Sequence, residues 1–403
     1  MKTIEGGVCA AKGFTASGVH CGIRRNRTKR DLALIFSDRP ASAACVYTRN
    51  LVQGAPIAVT REHVANGFAR AMLCNSGNAN TCNAGGVEIA RAMCALLAKE
   101  CGIAAEDVIV ASTGVIGQPL PLDAIAAGMP ALVAGLGRNS ADAAEAIMTT
   151  DLCKKELAVE FTLEVRVCRL GGIAKGSGMI HPNMATMLVF LTTDAAIAPA
   201  MLQKALRADM EETFHMISVD GDTSTNDMVS ILANGAAGNP PIEAPGPAFD
   251  AFCAALRQVT THLCRRMAAD GEGATKLIEC AVTGAADHGT ARVVAKSVIC
   301  SNLVKAAMFG ADANWGRVLC AIGYSGAAVD VNRVDVAFRS AAGCVPVCRG
   351  GVGVPFDEAL AKRILSEKEI RIEIGLGEGA AEATAWGCDL SYDYVKINGD
   401  YRT

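Results

Sequence analysis

Aromatic side chains are scarce: phenylalanine, tryptophan and tyrosine make up 4% of the 403 residues. A hydrophobic fraction of 51% must therefore be built from alanine, valine, isoleucine and leucine, which suits layered α/β packing better than an aromatic-rich binding surface. Excess positive charge is also missing. The formal net charge is −3, whereas a nucleic-acid footprint needs a basic excess or stripe, so no nucleic-acid partner is expected. The one basic cluster, Arg24-Arg25-Asn26-Arg27-Thr28-Lys29-Arg30, reads as a solvated loop or as an anion contact. No run approaches the roughly 18 uninterrupted apolar residues of a spanning helix. The N-terminal stretch Met1-Lys-Thr-Ile-Glu-Gly-Gly7 has no apolar signal core. Cys-x-x-Cys pairs are absent from the 17 cysteines. An odd, scattered set, much of it in apolar runs, fits a reducing cytoplasm better than a disulfide scaffold. A cytoplasmic protein without a membrane partner is expected.

What the chain does have is one conspicuous central stretch, Gly171 to Phe190. A glycine-rich loop carrying Lys175 and His181 leads through Ala185 to Thr186, and an apolar β-prone run follows to Thr193. Before it, the alternation of Leu157, Val159, Phe161, Leu163, Val165 and Val167 predicts a single half-buried strand. Further strands are expected at 31–36, 42–48, 71–74, 107–110, 228–233, 275–282, 329–338, 369–375 and 381–387. Helical spacing marks 87–100, 122–135, 141–148, 199–215, 247–269, 289–300, 302–309, 315–322 and 357–367, with Ser140 as an N-cap. The fold class is α/β, with helices packed outside stacked β-layers. No repeat or linker divides the chain. The one candidate division is functional, between residues 1–185 and 186–403.

Thr186 is either an ordinary strand residue or a nucleophile that becomes an N-terminus when the chain is cut before it. An N-terminal threonine carries its own general base, because its α-amine titrates at about 7.7–8.0 beside the hydroxyl. Glycines ahead of it permit the strained geometry of attack on the preceding carbonyl. Thr113 and Gly114, at a strand end, are either turn residues or two donors for a developing oxyanion. Lys175 can anchor a carboxylate, and Glu272, between two glycines, can bind an ammonium; each also reads as a solvated loop residue. His181 and His215 invite a hydrolase triad, but no Gly-x-Ser-x-Gly elbow is present. Asp220, Asp222 and Asp227 read as a self-bonded turn rather than a metal site, and no metal is expected.

The motifs in order are Cys74-Asn-Ser-Gly-Asn-Ala-Asn80, Ser112-Thr-Gly-Val-Ile-Gly117, Met148-Thr-Thr-Asp151 and Lys175-Gly-Ser-Gly-Met-Ile-His-Pro182 with Ala185-Thr186-Met-Leu. They continue with Ser218-Val-Asp-Gly-Asp-Thr-Ser-Thr-Asn-Asp227, Asp270-Gly-Glu-Gly-Ala-Thr-Lys276, Leu303-Val-Lys305, Asn314-Trp-Gly-Arg317 and Asn398-Gly-Asp-Tyr-Arg-Thr403. Together they resemble the ornithine acetyltransferases, the glutamate N-acetyltransferases of arginine biosynthesis, whose members are mono- or bifunctional. Departures are Leu152-Cys-Lys-Lys155 in place of the usual Thr-x-Pro pattern, Gly399 in place of a frequent alanine, and the variant Met308-Phe-Gly-Ala-Asp-Ala313.

The resemblance implies a precursor that cuts itself between Ala185 and Thr186 into α and β chains that stay associated, as α2β2 or larger. It implies a sandwich similar in arrangement to the N-terminal-nucleophile hydrolases. Thr186 is then the nucleophile, Thr113 and Gly114 the oxyanion hole, and Thr149, Lys175, Thr186, Glu272, Asn398 and Thr403 the substrate-binding positions. Acetyl would pass from N2-acetyl-L-ornithine to Thr186 and on to L-glutamate. No cofactor is implied, with acetyl-CoA as an alternative donor in bifunctional members. Two rivals remain: a self-cleaving aminopeptidase or amidase with water as acceptor, and a glycine-rich nucleotide-binding module.

Overall fold

Strands alternate with amphipathic helices along the computed structural model, which describes residues 1–24, 26, 28–181 and 187–399. Ala185, Thr186 and Thr403, and Arg25 and Arg27 of the basic cluster, lie outside these residues. In chain order the first strands are β1 (Lys2–Ile4), β2 (Phe14–Val19), β3 (Leu32–Tyr47), β4 (Phe68–Asn78), β5 (Val108–Val115), β6 (Lys155–Leu163), β7 (Arg166–Lys175) and β8 (Leu188–Thr193). The later ones are β9 (Ile217–Ser218), β10 (Met228–Ala233), β11 (Leu277–Ala285), β12 (Asp335–Ser340), β13 (Gly343–Arg349), β14 (Val352–Gly353), β15 (Glu369–Gly375) and β16 (Ala381–Cys388). The helices begin with α1 (Ala55–His63), α2 (Gly86–Cys101), α3 (Leu122–Ala134), α4 (Ser140–Ala146), α5 (Pro199–Glu212) and α6 (Pro247–Ala269). They continue with α7 (His288–Cys300), α8 (Asn302–Phe309), α9 (Trp315–Gly323), α10 (Glu358–Leu365) and α11 (Tyr392–Asn398).

Two mixed sheets result. The first runs β1-β6-β7-β8-β10-β3-β4-β5, with β2 also on β3; the second runs β14-β13-β12-β15-β11-β16-β9. The first therefore contains strands from both sides of residues 185/186: β8 is antiparallel to β7 and parallel to β10. Helix α6 joins the two layers. Its buried stripe, Phe249, Phe252, Leu256, Val259, Leu263 and Met267, follows helical spacing and belongs to a core that also takes in Leu170 and Leu191 of the first sheet and Ile278 and Ala385 of the second. Gly172 of β7 makes the approach possible: a Cβ there would lie 2.4 Å from Leu191 Cδ2 and 3.2 Å from Leu263 Cδ1. Truncating a fully buried phenylalanine such as Phe252 would cost about 3–5 kcal/mol through the cavity left behind.

Four local expectations change. The alternation from Leu157 to Val167 is a hairpin, not one strand: Glu164 adopts φ +53° without a glycine, and Val165 is 87% exposed at the turn. The segments 31–36 and 42–48 belong to one long strand, β3, whose register on β4 shifts between Phe36 and Ala41. Ser140 does not cap α4. It is the first helical residue, and its hydroxyl accepts from Val8 N at 3.1 Å and donates to Glu156 Oε2 at 2.8 Å. The strand expected from 329 begins at Asp335, after a short turn of 3₁₀ helix over Val331–Arg333. In the basic cluster, Arg30 is paired with Asp142 and Glu145, and Arg24 donates to Met148 O.

Candidate active site

Lys175 ends β7 and faces Leu188 across the β7–β8 pair, and Leu188 follows Thr186 by two positions in the chain. Its side chain is 2% exposed. Burial pushes the ammonium below the usual lysine range, nearby Lys155 adds to that, and Asp151 and Asp227 oppose it. No hydrogen bond fixes Lys175 Nζ among the described residues.

Asp151 is the hub behind this lysine. Its Oδ1 accepts from Gly176 N and from Lys155 Nζ, both at 2.7 Å, and its Oδ2 accepts from Thr149 N at 2.9 Å. Lys155 Nζ also donates to Asp270 Oδ2 at 2.5 Å. Burial by itself would raise the Asp151 carboxyl, yet the Lys175 and Lys155 charges outweigh it and hold it well below the usual range. Thr149 and the turn after Lys175 are thus positioned by one carboxylate.

Asp270 opens the glycine-rich turn that carries Glu272. Ser177 Oγ donates to Asp270 O at 2.6 Å, and Glu272 N donates to Ser177 O at 2.9 Å. Gly178 lies flat against the Glu272 carboxylate, where a Cβ would come within 2.4 Å of Cδ. Asn398 of α11 donates through Nδ2 to Glu272 Oε2 at 2.8 Å. The structure therefore gathers Thr149, Lys175, Glu272 and Asn398 around the 175–178 turn.

Thr113 and Gly114 lie near the end of β5, paired in parallel with Ser76 and Gly77 of β4. Gly114 has φ +132°, and a Cβ there would lie 2.3 Å from the Gly77 carbonyl carbon; only glycine fits this backbone. The Asn226-Asp227 dipeptide ties this strand end to β8. Asn226 Nδ2 donates to Ser112 O at 3.0 Å and to Ala79 O at 2.6 Å. Asp227 Oδ1 accepts from Met187 N, the residue after Thr186, at 2.9 Å. Asp227 is fully buried, and its Oδ2 has no hydrogen-bond partner among the described residues. Burial raises its carboxyl well above the usual range; the Met187 N–H and Lys175 oppose this.

Two members of this arrangement escape the sequence reading. Lys155 is in phase with Leu157, Val159 and Phe161 on β6, which in principle marks it as inward-facing. Asp227 reads as part of a self-bonded turn, because its partner Met187 is remote in sequence. Asp220 also acts on backbone: its oxygens accept from Met179 N at 2.6 Å and Ile180 N at 2.8 Å. Among the described residues no three His, Cys, Asp or Glu side chains are grouped to hold a metal.

The model of the ArgJ family matches residues 15–403. The chain belongs to the ArgJ family. It is 53% identical over 406 residues to the arginine biosynthesis bifunctional protein ArgJ of Symbiobacterium thermophilum, with 100% of both chains covered. It is 50% identical over 405 residues, again with 100% of both chains covered, to the protein of the same name from Caldanaerobacter subterraneus subsp. tengcongensis. Among solved structures it is similar to the Bacillus halodurans arginine biosynthesis bifunctional protein argJ, at 44% identity and a TM-score of 0.49, over 53% of this chain and 97% of that one. With the motif resemblance, this membership makes the chain an acetyltransferase of arginine biosynthesis.

Proposed function

We propose that the chain cuts itself between Ala185 and Thr186 and that Thr186 then carries acetyl from N2-acetyl-L-ornithine to L-glutamate. The observation that supports this best is the Asn226-Asp227 grip, in which one dipeptide holds both Ser112 O, beside Thr113 and Gly114, and Met187 N, beside Thr186. The α chain, residues 1–185, and the β chain, 186–403, stay joined because β7 and β8 pair across the cut. Two such pairs form α2β2.

In the first half-reaction the Thr186 hydroxyl gives its proton to its own α-amine and attacks the acetamide carbonyl. Thr113 Oγ1 and Gly114 N donate to the tetrahedral oxyanion, which matters because preorganised donors cost no rearrangement as charge develops. Ornithine leaves with the proton, and an acetyl-Thr186 ester remains. In the second, the glutamate amine attacks the ester and departs as N-acetyl-L-glutamate. Splitting one acyl transfer in this way lowers each barrier. Lys175 takes the amino-acid carboxylate and Glu272 the ammonium, with Thr149, Asn398 and Thr403 completing the contacts. The same acetyl-Thr186 can be loaded from acetyl-CoA.

The test is Thr186→Ala, read by intact mass and by acetylglutamate formation. The expected result is one uncut chain and no transfer. A variant that transfers acetyl at the normal rate refutes the nucleophile assignment, and release of free acetate with no acetylglutamate turns the reading to an amidase. Acetylglutamate formed from acetyl-CoA without acetylornithine establishes the second donor.

A further inference from the structure

A cleft of about 670 Å³ lies beside α7, lined by Arg49, His181, His215, Arg292, Lys296 and Cys300 among others. Glu211 is the only carboxylate among its described lining residues, and it is already paired with Arg292 and His215. Arg49 forms no ion pair among the described residues. The positive charge that the cleft offers an incoming group is therefore that of Arg49.

Lys296 and Cys300 stand four residues apart on α7 and so share one face. Cys300 Sγ lies 3.6 Å from His181 Nδ1, and Ser218 Oγ is 3.3 Å from the same nitrogen. Lys296 Nζ donates to Ile217 O at 2.8 Å, and burial brings its ammonium down to about 7, with Cys300 opposing the fall. The thiol sits at the last residue of α7, where the helix dipole disfavours a thiolate, and burial acts in the same direction. The His181 contact, the Lys296 charge and the Ser218 hydroxyl outweigh burial and bring the thiol down to about 7. Every other thiol with a resolved shift is pushed upward by burial, Cys45, Cys74 and Cys280 among them. The two exposed thiols, Cys82 and Cys320, lie outside the cleft.

We propose that Cys300 is a covalent modification site for small anionic disulfides, with His181 activating the sulfur and Arg49 attracting the reagent. The Cys300 sulfur attacks one sulfur of the disulfide. A new S–S bond forms at Cys300, the reagent's S–S bond breaks, and the electron pair leaves on the departing sulfur. The proton lost by Cys300 ends on that departing thiol, so no further oxidant or reductant is consumed.

The test exposes the purified protein to limiting oxidised glutathione, with cystamine as a cationic disulfide control, and locates adducts by peptide mass spectrometry. Because the adduct is read on whichever chain carries residue 300, the outcome is independent of cleavage at Thr186. Cys300 should be modified about tenfold faster than Cys82 or Cys320, with the anionic reagent preferred. Arg49→Gln should weaken that preference, His181→Asn should slow the reaction about tenfold, and Cys300→Ser should remove the adduct. Equal labelling of Cys82 or Cys320, or a rate unchanged in His181→Asn, overturns the proposal. If His181→Asn does not fold, the wild-type reagent preference decides: cystamine reacting as fast as oxidised glutathione overturns it.

Discussion

Replacing Lys155 with methionine removes a charge and keeps nearly the same length, so it isolates the ionic part of the support behind the 175–178 turn. Lys155 and Asp151 are 0% exposed and the Asp270 side chain is 7% exposed. Without the ammonium, two carboxylates remain buried, with Lys175 as the nearby cation acting on Asp151. Breaking such a group from one side costs about 3–5 kcal/mol, because the stranded charges lose compensation and cannot return to water. In wild type the folded-state pKa of Asp151 is depressed. Its contribution to stability is therefore complete above the unfolded value of about 3.9 and is lost as pH falls through the folded value. The deficit of Lys155→Met should be largest at neutral pH and shrink toward pH 4 as the carboxylates of the variant are neutralised. Urea unfolding at one protein concentration, run between pH 7 and pH 4, measures it. A loss below about 1 kcal/mol, or one independent of pH, refutes the reasoning. Adding Asp270→Asn should recover part of the loss, since it removes one of the stranded charges.

Three further outcomes are expected. Asp227→Asn keeps an acceptor for Met187 N but removes a buried charge. Since the folded-state pKa of Asp227 is raised, its ionisation opposes folding as pH rises, so this variant should melt at or above the wild-type temperature near pH 8 and lose that advantage near pH 4, while transfer slows; a lower melting temperature at pH 8 contradicts it. Gly114→Ala forces a Cβ against Gly77 and a disfavoured φ, and should cost about 2–4 kcal/mol together with loss of transfer; normal activity and melting would show that β4 and β5 can separate. Glu272→Ala should raise KM for the amino acids about tenfold to a hundredfold through a lost charged hydrogen bond, with steady-state kinetics as the check; a change confined to kcat speaks against ammonium binding.

Helix α6 and strands β10 and β15 match their expected limits: α6 is a long periodic stretch between Gly246 and Asp270, β15 alternates between faces, and β10 is a short apolar run after Asp227. The hairpin at Glu164 was not legible, since the left-handed residue is a glutamate and the alternation continues unbroken through the turn. Helix α1 and strand β13 carry weak patterns and are stabilised by what they pack against, while α11 buries none of its side chains. Of the candidate site, the glycine-rich turns at 176–178 and 271–273 stand out in the sequence, whereas their mutual docking is a tertiary fact. The strain at Gly114 becomes visible only when Gly77 is placed beside it. Asp151 could be read as a cap, but not as the shared acceptor of Thr149, Gly176 and Lys155, because no local rule pairs residues so far apart. The positions Thr149 and Asn398 came from resemblance alone.

The pairing of β7 with β8 has a consequence for the history of the molecule. Six register pairs, from Leu170–Thr193 to Lys175–Leu188, span the proposed cut. In the uncut chain they form by closing a short loop, a unimolecular step at millimolar effective concentration. After the cut the same seam joins two separate chains, and rebuilding it from denatured protein becomes a second-order encounter that dilution slows. With the cut as proposed, folding information would sit in the precursor, and the mature pair would inherit a shape it can no longer regain at the same speed. Its persistence is then set by how slowly it comes apart, a rate rather than an equilibrium.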